Sequence, residues 1–93
     1  MKKVDLGSQG LRVPAIGLGC MGMSDFYGSS SEAQNLRVLD RAAELGCTFW
    51  DTSDMYGPFT NEILLSKALD NRRGQIVLAT KFGVSRGEDG SWQ

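Results

Sequence analysis

The sequence contains no histidine, and it has only two prolines and two cysteines among its 93 residues. Without histidine, this chain can build neither a serine–histidine–aspartate triad nor most kinds of zinc site. The cysteines, Cys20 and Cys47, are far apart and lack the spacing of metal ligands, which favours free thiols in a reducing compartment. We therefore expect no metal site and a cytoplasmic protein.

The sequence also lacks a large excess of charge of one sign and any long apolar run. Ten basic residues offset eleven acidic ones, and the net charge of −1 gives no electrostatic basis for binding nucleic acid or an anionic membrane. No apolar run approaches the ~20 residues of a transmembrane helix. The opening lysines are not followed by the apolar stretch of a secretion signal. With 41% hydrophobic residues, the composition is that of one ordinary globular domain.

The first elements are predicted to be a hairpin and a buried strand. Residues 2–6 and 11–13 are short strand-like runs on either side of a turn rich in glycine, and Pro14 ends the second run because it has no N–H for a ladder. Residues 15–20 are small and apolar, as in a buried strand. Residues 21–30, rich in glycine and serine, predict a loop.

Two helices alternate with two further strands. Ser31 can cap a helix that ends near Gly46, and a second helix is predicted from about Asn61 to Asp70. Residues 47–51 and 75–81 are strand-like, so buried strands recur about every 30 residues, the length of a βαβ unit. This order predicts a parallel α/β sheet. Since strand side chains alternate, Trp50 should pack under a helix, opposite its neighbours.

Three polar residues follow the predicted strands where functional groups of parallel sheets usually lie. Asp51 closes the second strand, Tyr56 lies in the loop after it, and Lys81 closes the third strand. A phenol is a weak acid at neutral pH, but a neighbouring ammonium stabilises its phenolate, and a carboxylate can orient the ammonium. Such a tyrosine could protonate a carbonyl oxygen as hydride reaches the carbon. Each residue alone could equally be a turn residue or a solvated strand end.

A competing interpretation concerns the glycines at 17, 19 and 22, which match the G-x-G-x-x-G fingerprint of dinucleotide-binding folds. In that fingerprint the third glycine opens a helix whose N-terminus meets the pyrophosphate. In this sequence a loop is predicted after the third glycine, and the helix begins only near Ser31. Close backbone packing of a buried strand and its loop explains the glycines better.

Four sequence runs resemble the aldo-keto reductase family, especially its auxin-induced-like and aryl-alcohol-type branch. These runs are GLGCMGM at residues 17–23, FWDTSDMYG at 49–57, TNEILLSKAL at 60–69 and LATKFG at 78–83. The resemblance implies an α/β fold, the N-terminal part of a (β/α)8 TIM barrel with an N-terminal hairpin. It implies about three of the eight βα units, with the hairpin at 2–14 and three strands and two helices in 15–93.

The resemblance also implies a chemistry, the NADPH-dependent reduction of aldehydes or ketones by a tetrad of Asp, Tyr, Lys and His. By resemblance Asp51, Tyr56 and Lys81 take the first three roles, with Tyr56 as the general acid. Cys20 and Met21 occupy positions that line the nicotinamide site, and Asp51 lies near the nicotinamide ribose. The loop carrying Phe26 and Tyr27 would border the substrate pocket, and the substrate would be a small carbonyl compound.

One member of that tetrad has no counterpart in this sequence, because the family's histidine follows a fourth strand. The segments that grip most of the cofactor would also lie downstream of residue 93. We therefore expect the chain to represent the first third of a reductase and to be inactive alone. The alternative is a non-catalytic barrel fragment or interaction module, which would self-associate or pair with the missing part of the barrel because its parallel sheet has open edges.

Overall fold

A computed structural model describes residues 1–23 and 31–83 of the chain. The elements in chain order are strands β1 (Lys3–Asp5), β2 (Arg12–Pro14) and β3 (Leu18–Gly19), helix α1 (Glu32–Glu44), strand β4 (Phe49–Asp51), helix α2 (Thr60–Leu69) and strand β5 (Val77–Ala79). Short 3-10 turns at Met21–Met23 and Arg73–Gln75 complete them. Within this described part of the chain, no helix is long and apolar enough to cross a bilayer.

Strands β1 and β2 form the predicted antiparallel hairpin. Val4 lies opposite Val13, and the Leu6 N–H donates to the Leu11 carbonyl at 2.8 Å, which closes the turn between them. Pro14 is the last residue of β2. At this position its missing N–H does not interrupt the hydrogen bonds between the two strands. The hairpin forms a sheet of its own, separate from the other strands.

Strands β3, β4 and β5 form a parallel sheet with β4 in the centre. Leu18, Trp50 and Leu78 lie side by side in one row of the sheet, and Gly19, Asp51 and Ala79 form the next row. All three strands are shorter than predicted. At its start β5 loses two predicted residues because Arg73–Gln75 winds into a 3-10 turn, and Ile76 caps that turn.

Both helices form close to the predicted positions. The Ser31 hydroxyl accepts the Gln34 N–H at 3.4 Å, as a capping residue should, and Gly46 follows the helix with a φ of 83° that suits glycine. Helix α2 begins one residue earlier than predicted, after Phe59, whose φ is 65°. Gly22, the third glycine of the run, lies in the 3-10 turn Met21–Met23, whereas a dinucleotide fingerprint places its third glycine at the opening of an α-helix.

The apolar core lies between the parallel sheet and the two helices. Leu39 of α1, Trp50 of β4 and Leu65 of α2 are almost completely buried in it. Trp50 faces this core, as the alternation of strand side chains predicted, and its indole N–H donates to the Cys47 carbonyl at 2.9 Å. The core therefore fixes β4 against both helices, and with it the strand ends that carry the polar residues.

Candidate active site

Asp51 and Lys81 meet at the carboxyl end of the parallel sheet. Asp51 is the last residue of β4 and pairs with Ala79 of β5. Lys81 follows Ala79 by two residues, so an extended backbone returns its side chain to the same face. The Lys81 ammonium donates to the Asp51 carboxylate at 2.8 Å and to the Thr52 carbonyl at 2.9 Å. Two acceptors from neighbouring residues thus hold the amine in one place.

Tyr56 completes this group from the loop after β4. The Lys81 Nζ lies 4.9 Å from the centroid of the Tyr56 ring, and the tyrosine is only 8% exposed. The loop turns sharply at Gly57, which has a φ of 103°. A Cβ built there would lie 1.7 Å from the Thr60 Oγ1, so any other residue would be strained at this φ and would force the Thr60 side chain to move. Asp51 and Tyr56, predicted at the end of one strand and in the loop after it, therefore lie together with Lys81 from the end of the next strand.

Two opposing effects set the pKa of Lys81. Partial burial of the ammonium lowers the pKa, but hydrogen bonding to Asp51 and Tyr56 and the charges of these groups outweigh burial and hold the pKa above its ordinary value. Lys81 therefore carries a positive charge throughout the neutral pH range.

The segment predicted to line the cofactor lies directly beside Asp51. The Cys20 N–H donates to the Asp51 carbonyl at 3.0 Å, and Met21 begins the 3-10 turn that follows. The Cys20 side chain is completely buried, and burial raises the pKa of its thiol to about 11. Met21 and Asp51 are half-buried and keep accessible surface. Cys20 thus contributes through its backbone position, whereas Met21 and Asp51 can touch a ligand.

Two polar residues beneath the site were missed by the sequence reasoning. Thr52 and Asn61 are both 0% exposed, and the Thr52 hydroxyl donates to the Asn61 side-chain oxygen. A signal for Asn61 was present, because it precedes the buried Leu64, Leu65 and Ala68 at helical spacing and so lies on the core face of α2. A polar residue on an apolar helix face indicates a buried hydrogen-bonded site.

Phe26 and Tyr27, which the resemblance places near a substrate pocket, lie outside the described residues. Among residues 1–23 and 31–83, no group of three or more acidic or cysteine side chains is arranged to hold a metal ion. The polar groups that meet at this end of the sheet are thus an acid, a phenol and an amine, which suits proton transfer.

Comparison with known proteins identifies the family. The model of the aldo/keto reductase family matches residues 15–93, which is most of the chain. This chain belongs to the aldo/keto reductase family. The match includes all three strands of the parallel sheet and the residues Asp51, Tyr56 and Lys81.

Individual relatives agree with the family assignment. The aldo-keto reductase yakc [NADP(+)] of Schizosaccharomyces pombe is 55% identical over 76 residues, which are 80% of this chain and 22% of that protein. The holo form of aldo-keto reductase AKR11C1 from Bacillus halodurans superposes with a TM-score of 0.86 at 41% identity, over 100% of this chain and 30% of that one. The thermostable aldo-keto reductase Tm1743, solved with the inhibitor epalrestat, superposes with a TM-score of 0.74 at 31% identity. This superposition covers 86% of this chain and 30% of that one.

The coverage shows which part of the family fold this chain contains. It spans 22% of the yakc reductase and about 30% of the two solved reductases. The parallel β3–β4–β5 sheet with its two helices is the N-terminal part of a (β/α)8 barrel, and the hairpin precedes it. The predicted fold class and family are therefore confirmed.

Proposed function

We propose that this chain supplies the proton-donating half of an aldo-keto reductase site, which reduces aldehydes or ketones to alcohols with NADPH. The observation that carries the proposal is the placement of the Lys81 ammonium, 2.8 Å from the Asp51 carboxylate and 4.9 Å from the centroid of the Tyr56 ring. The match to the family model supports it, because that match covers all three residues.

In this proposal each of the three side chains has one task. Tyr56 donates its phenolic proton to the carbonyl oxygen of the substrate and becomes a phenolate. Lys81 stabilises that phenolate through its positive charge, which the raised pKa of the ammonium maintains at neutral pH. Asp51 balances the charge of Lys81 and, together with the Thr52 carbonyl, fixes the direction in which the ammonium points.

The residues beside this group fit the nicotinamide end of NADPH. When bound, NADPH supplies the hydride that adds to the carbonyl carbon. Asp51 offers a half-exposed carboxylate that can accept hydrogen bonds from a ribose, and Met21 offers a half-buried apolar surface next to it. Cys20 supports this segment from behind through its backbone bond to Asp51. The yakc relative carries NADP(+) in its name, which supports the choice of cofactor.

The 93-residue chain is proposed to be inactive alone. It contains no histidine, so the fourth member of the resembled tetrad must come from elsewhere in the barrel. It also spans less than a third of each compared reductase, so most of the groups that would hold NADPH lie outside it. We expect no measurable NADPH binding when the cofactor's fluorescence is titrated with the isolated chain.

The test uses a chimera that joins this chain to the remaining barrel of the yakc reductase. NADPH oxidation with benzaldehyde is measured for the chimera and for Tyr56→Phe, which removes only the phenolic oxygen. Because general acid catalysis contributes about 10²–10⁴-fold, kcat should fall by at least about 100-fold while the thermal unfolding midpoint stays unchanged. An unsubstituted chimera that is folded but inactive, or a Tyr56→Phe variant with full kcat, would show the proposal to be wrong.

A second candidate function is a non-catalytic module that associates through its open sheet. Ile16 is 65% exposed and Phe82 is 91% exposed, and β3 and β5 each have one edge without a neighbouring strand among the described residues. Such edges favour pairing with a second copy or with the rest of a barrel. Sedimentation of the 93-residue chain tests this function, and a monomer that unfolds cooperatively would argue against it.

A further inference from the structure

A buried amide lies behind the candidate site and contacts the segments that carry its residues. Asn61, in the first turn of α2, is 0% exposed. Its side-chain N–H group donates to the Cys20 carbonyl at 2.7 Å, and its side-chain oxygen accepts the Thr52 hydroxyl. Its backbone N–H donates to the Tyr56 carbonyl at 3.1 Å. One residue thus binds the end of β3, the end of β4 and the tyrosine loop.

Each of these contacts is one step from a group of the site. Cys20 precedes Met21, and its carbonyl also accepts the Met23 N–H at 3.1 Å, which closes the 3-10 turn. The Thr52 carbonyl accepts the Lys81 ammonium at 2.9 Å. Asn61 therefore connects the segment beside the cofactor, the anchor of the amine and the backbone of Tyr56.

The chemistry of a buried amide makes this connection rigid. Away from water, an amide that rotated would leave its own polar atoms and those of its partners without hydrogen bonds, which is unfavourable. An apolar residue packed at the same place would keep the backbone bond to Tyr56 but would lose the two side-chain bonds that hold the Cys20 and Thr52 segments against α2. The direction of the bonds, rather than the volume of the side chain, is what the site needs.

We infer that Asn61 is a positioning residue of the reductase site, which sets the Tyr56 phenol and the Cys20–Met21 segment in register with each other. The inference rests on the proposed function, since it assigns a role within the same site. Asn61 touches no reacting atom in this account. Its side chain fixes the start of α2 against Thr52 and Cys20, and its backbone N–H then sets the position of the Tyr56 carbonyl.

The first test is Asn61→Ala in the chimera described above. Misplacing a reacting group by about 1 Å can cost 10²-fold, so kcat and the single-turnover rate of NADPH oxidation should fall about 10- to 100-fold. The KM for benzaldehyde should change by less than about threefold, because Asn61 is fully buried and makes no substrate contact. A merely structural role would reduce the folded fraction and leave the kcat of the folded enzyme unchanged.

A milder pair of variants keeps the inference testable if Asn61→Ala does not fold. Thr52→Val has nearly the same shape but lacks the hydroxyl that Asn61 accepts, whereas Thr52→Ser keeps the hydroxyl and loses a methyl group. Positioning predicts that the kcat of Thr52→Val is at least about fivefold lower than the kcat of Thr52→Ser. Equal kcat values for the two folded variants would overturn the inference.

A readout without cofactor completes the experiment. In Asn61→Ala, the amide hydrogens of residues 20–23 and 54–57 should exchange at least about tenfold faster, while those of β5 keep the wild-type rate. Ser66→Ala is the matched control, because it removes an exposed hydroxyl of the same helix that donates to the Ile63 carbonyl at 2.6 Å. That control should leave both exchange and kcat unchanged.

The outcomes separate the two proposals. If Tyr56→Phe abolishes activity but Asn61→Ala retains wild-type kcat and exchange, the positioning role is wrong and the reductase function stands. If Tyr56→Phe retains activity, the proposed function itself is wrong, and the positioning role falls with it.

Discussion

Strand β4 contributes to two regions of the molecule, the apolar core and the polar group at the strand ends. Different kinds of contact hold these two regions together. Trp50 belongs to the core and Asp51, its neighbour in β4, to the polar group. Around Trp50 most contacts are apolar and non-directional, with one hydrogen bond from the indole N–H to the Cys47 carbonyl, and burial sets most of their strength. Around Asp51 they are directional: the Lys81 ammonium donates a hydrogen bond to the Asp51 carboxylate and lies over the Tyr56 ring, 4.9 Å from its centroid.

This difference predicts at which positions a substitution lowers the stability of the fold and at which positions it lowers the rate of the reaction. A core responds to lost volume, so a smaller side chain is costly and a similar one is tolerated. The polar group responds to a lost donor or acceptor even when shape is kept. A substitution that keeps the shape of the side chain should therefore have little effect in the apolar core and a large effect on activity in the polar group.

The largest expected effect on stability is at Trp50. Trp50→Ala removes a completely buried ring next to Leu39 and Leu65, and such truncations cost about 3–5 kcal/mol. Urea unfolding followed by circular dichroism should show a chain that is mostly unfolded in water. Trp50→Phe, the matched change of shape, should cost clearly less, and equal losses for both variants would contradict the description of this core.

A smaller effect is expected at Gly57, which links the tyrosine loop to α2. Gly57→Ala places a Cβ 1.7 Å from the Thr60 Oγ1 at a φ of 103°, so we expect a loss of about 2–4 kcal/mol in the free energy of unfolding, from strain and clash together. Gly74→Ala is the control, since a Cβ there meets nothing within 4 Å. A tolerated Gly57→Ala would mean that the loop follows another path.

The two cysteines offer a comparison through pH. Burial raises the pKa of the Cys20 thiol from 9.0 to about 11, so the folded state keeps a proton that the unfolded state has lost between these values. Stability is therefore fully present below pH 9 and falls as the pH rises towards 11, by about 2–3 kcal/mol for a shift of this size. The pKa of Lys81 is also raised, so Lys81 adds a further loss of stability at the upper end of this pH range.

Cys20→Ala separates the two contributions. The variant should lose the part of the alkaline decline that begins near pH 9, and Cys47→Ala, at a half-buried position, should keep it. Unfolding midpoints measured from pH 8 to pH 11 report the difference. An unchanged decline in Cys20→Ala would show that another group is responsible.

Much of the fold could be predicted because its signals are local. Ser31 and Gly46 mark the limits of α1, and the apolar runs of the three strands alternate with helices at the spacing of βαβ units. Strand ends were predicted less well, since strand length depends on pairing with distant residues. The 3-10 turn at Arg73–Gln75 shortens β5 in a way that its apolar run does not reveal.

The residues of the candidate site also fall into those that local sequence signals predict and those that they do not. Asp51, Tyr56 and Lys81 could be selected because parallel strand ends meet at one edge of a sheet. Asn61 and Thr52 were missed. The place of Asn61 on the apolar face of α2 indicated a buried polar residue, but no spacing rule specifies that its partner is Thr52 at the end of β4. The partners of a buried polar residue are visible only when the elements are seen together.

The most direct test of the central claim, that Tyr56 and Lys81 act as one unit, is a double-mutant cycle in the chimera. Single-turnover rates of NADPH oxidation with benzaldehyde are measured for Tyr56→Phe, Lys81→Met and the double variant. Lys67→Met serves as the control, because it removes a lysine that pairs with Glu32 on the exposed surface. If Lys81 acts through the phenol, the double variant should be no slower than Tyr56→Phe alone, within about threefold. Losses that multiply across the two positions would contradict the account.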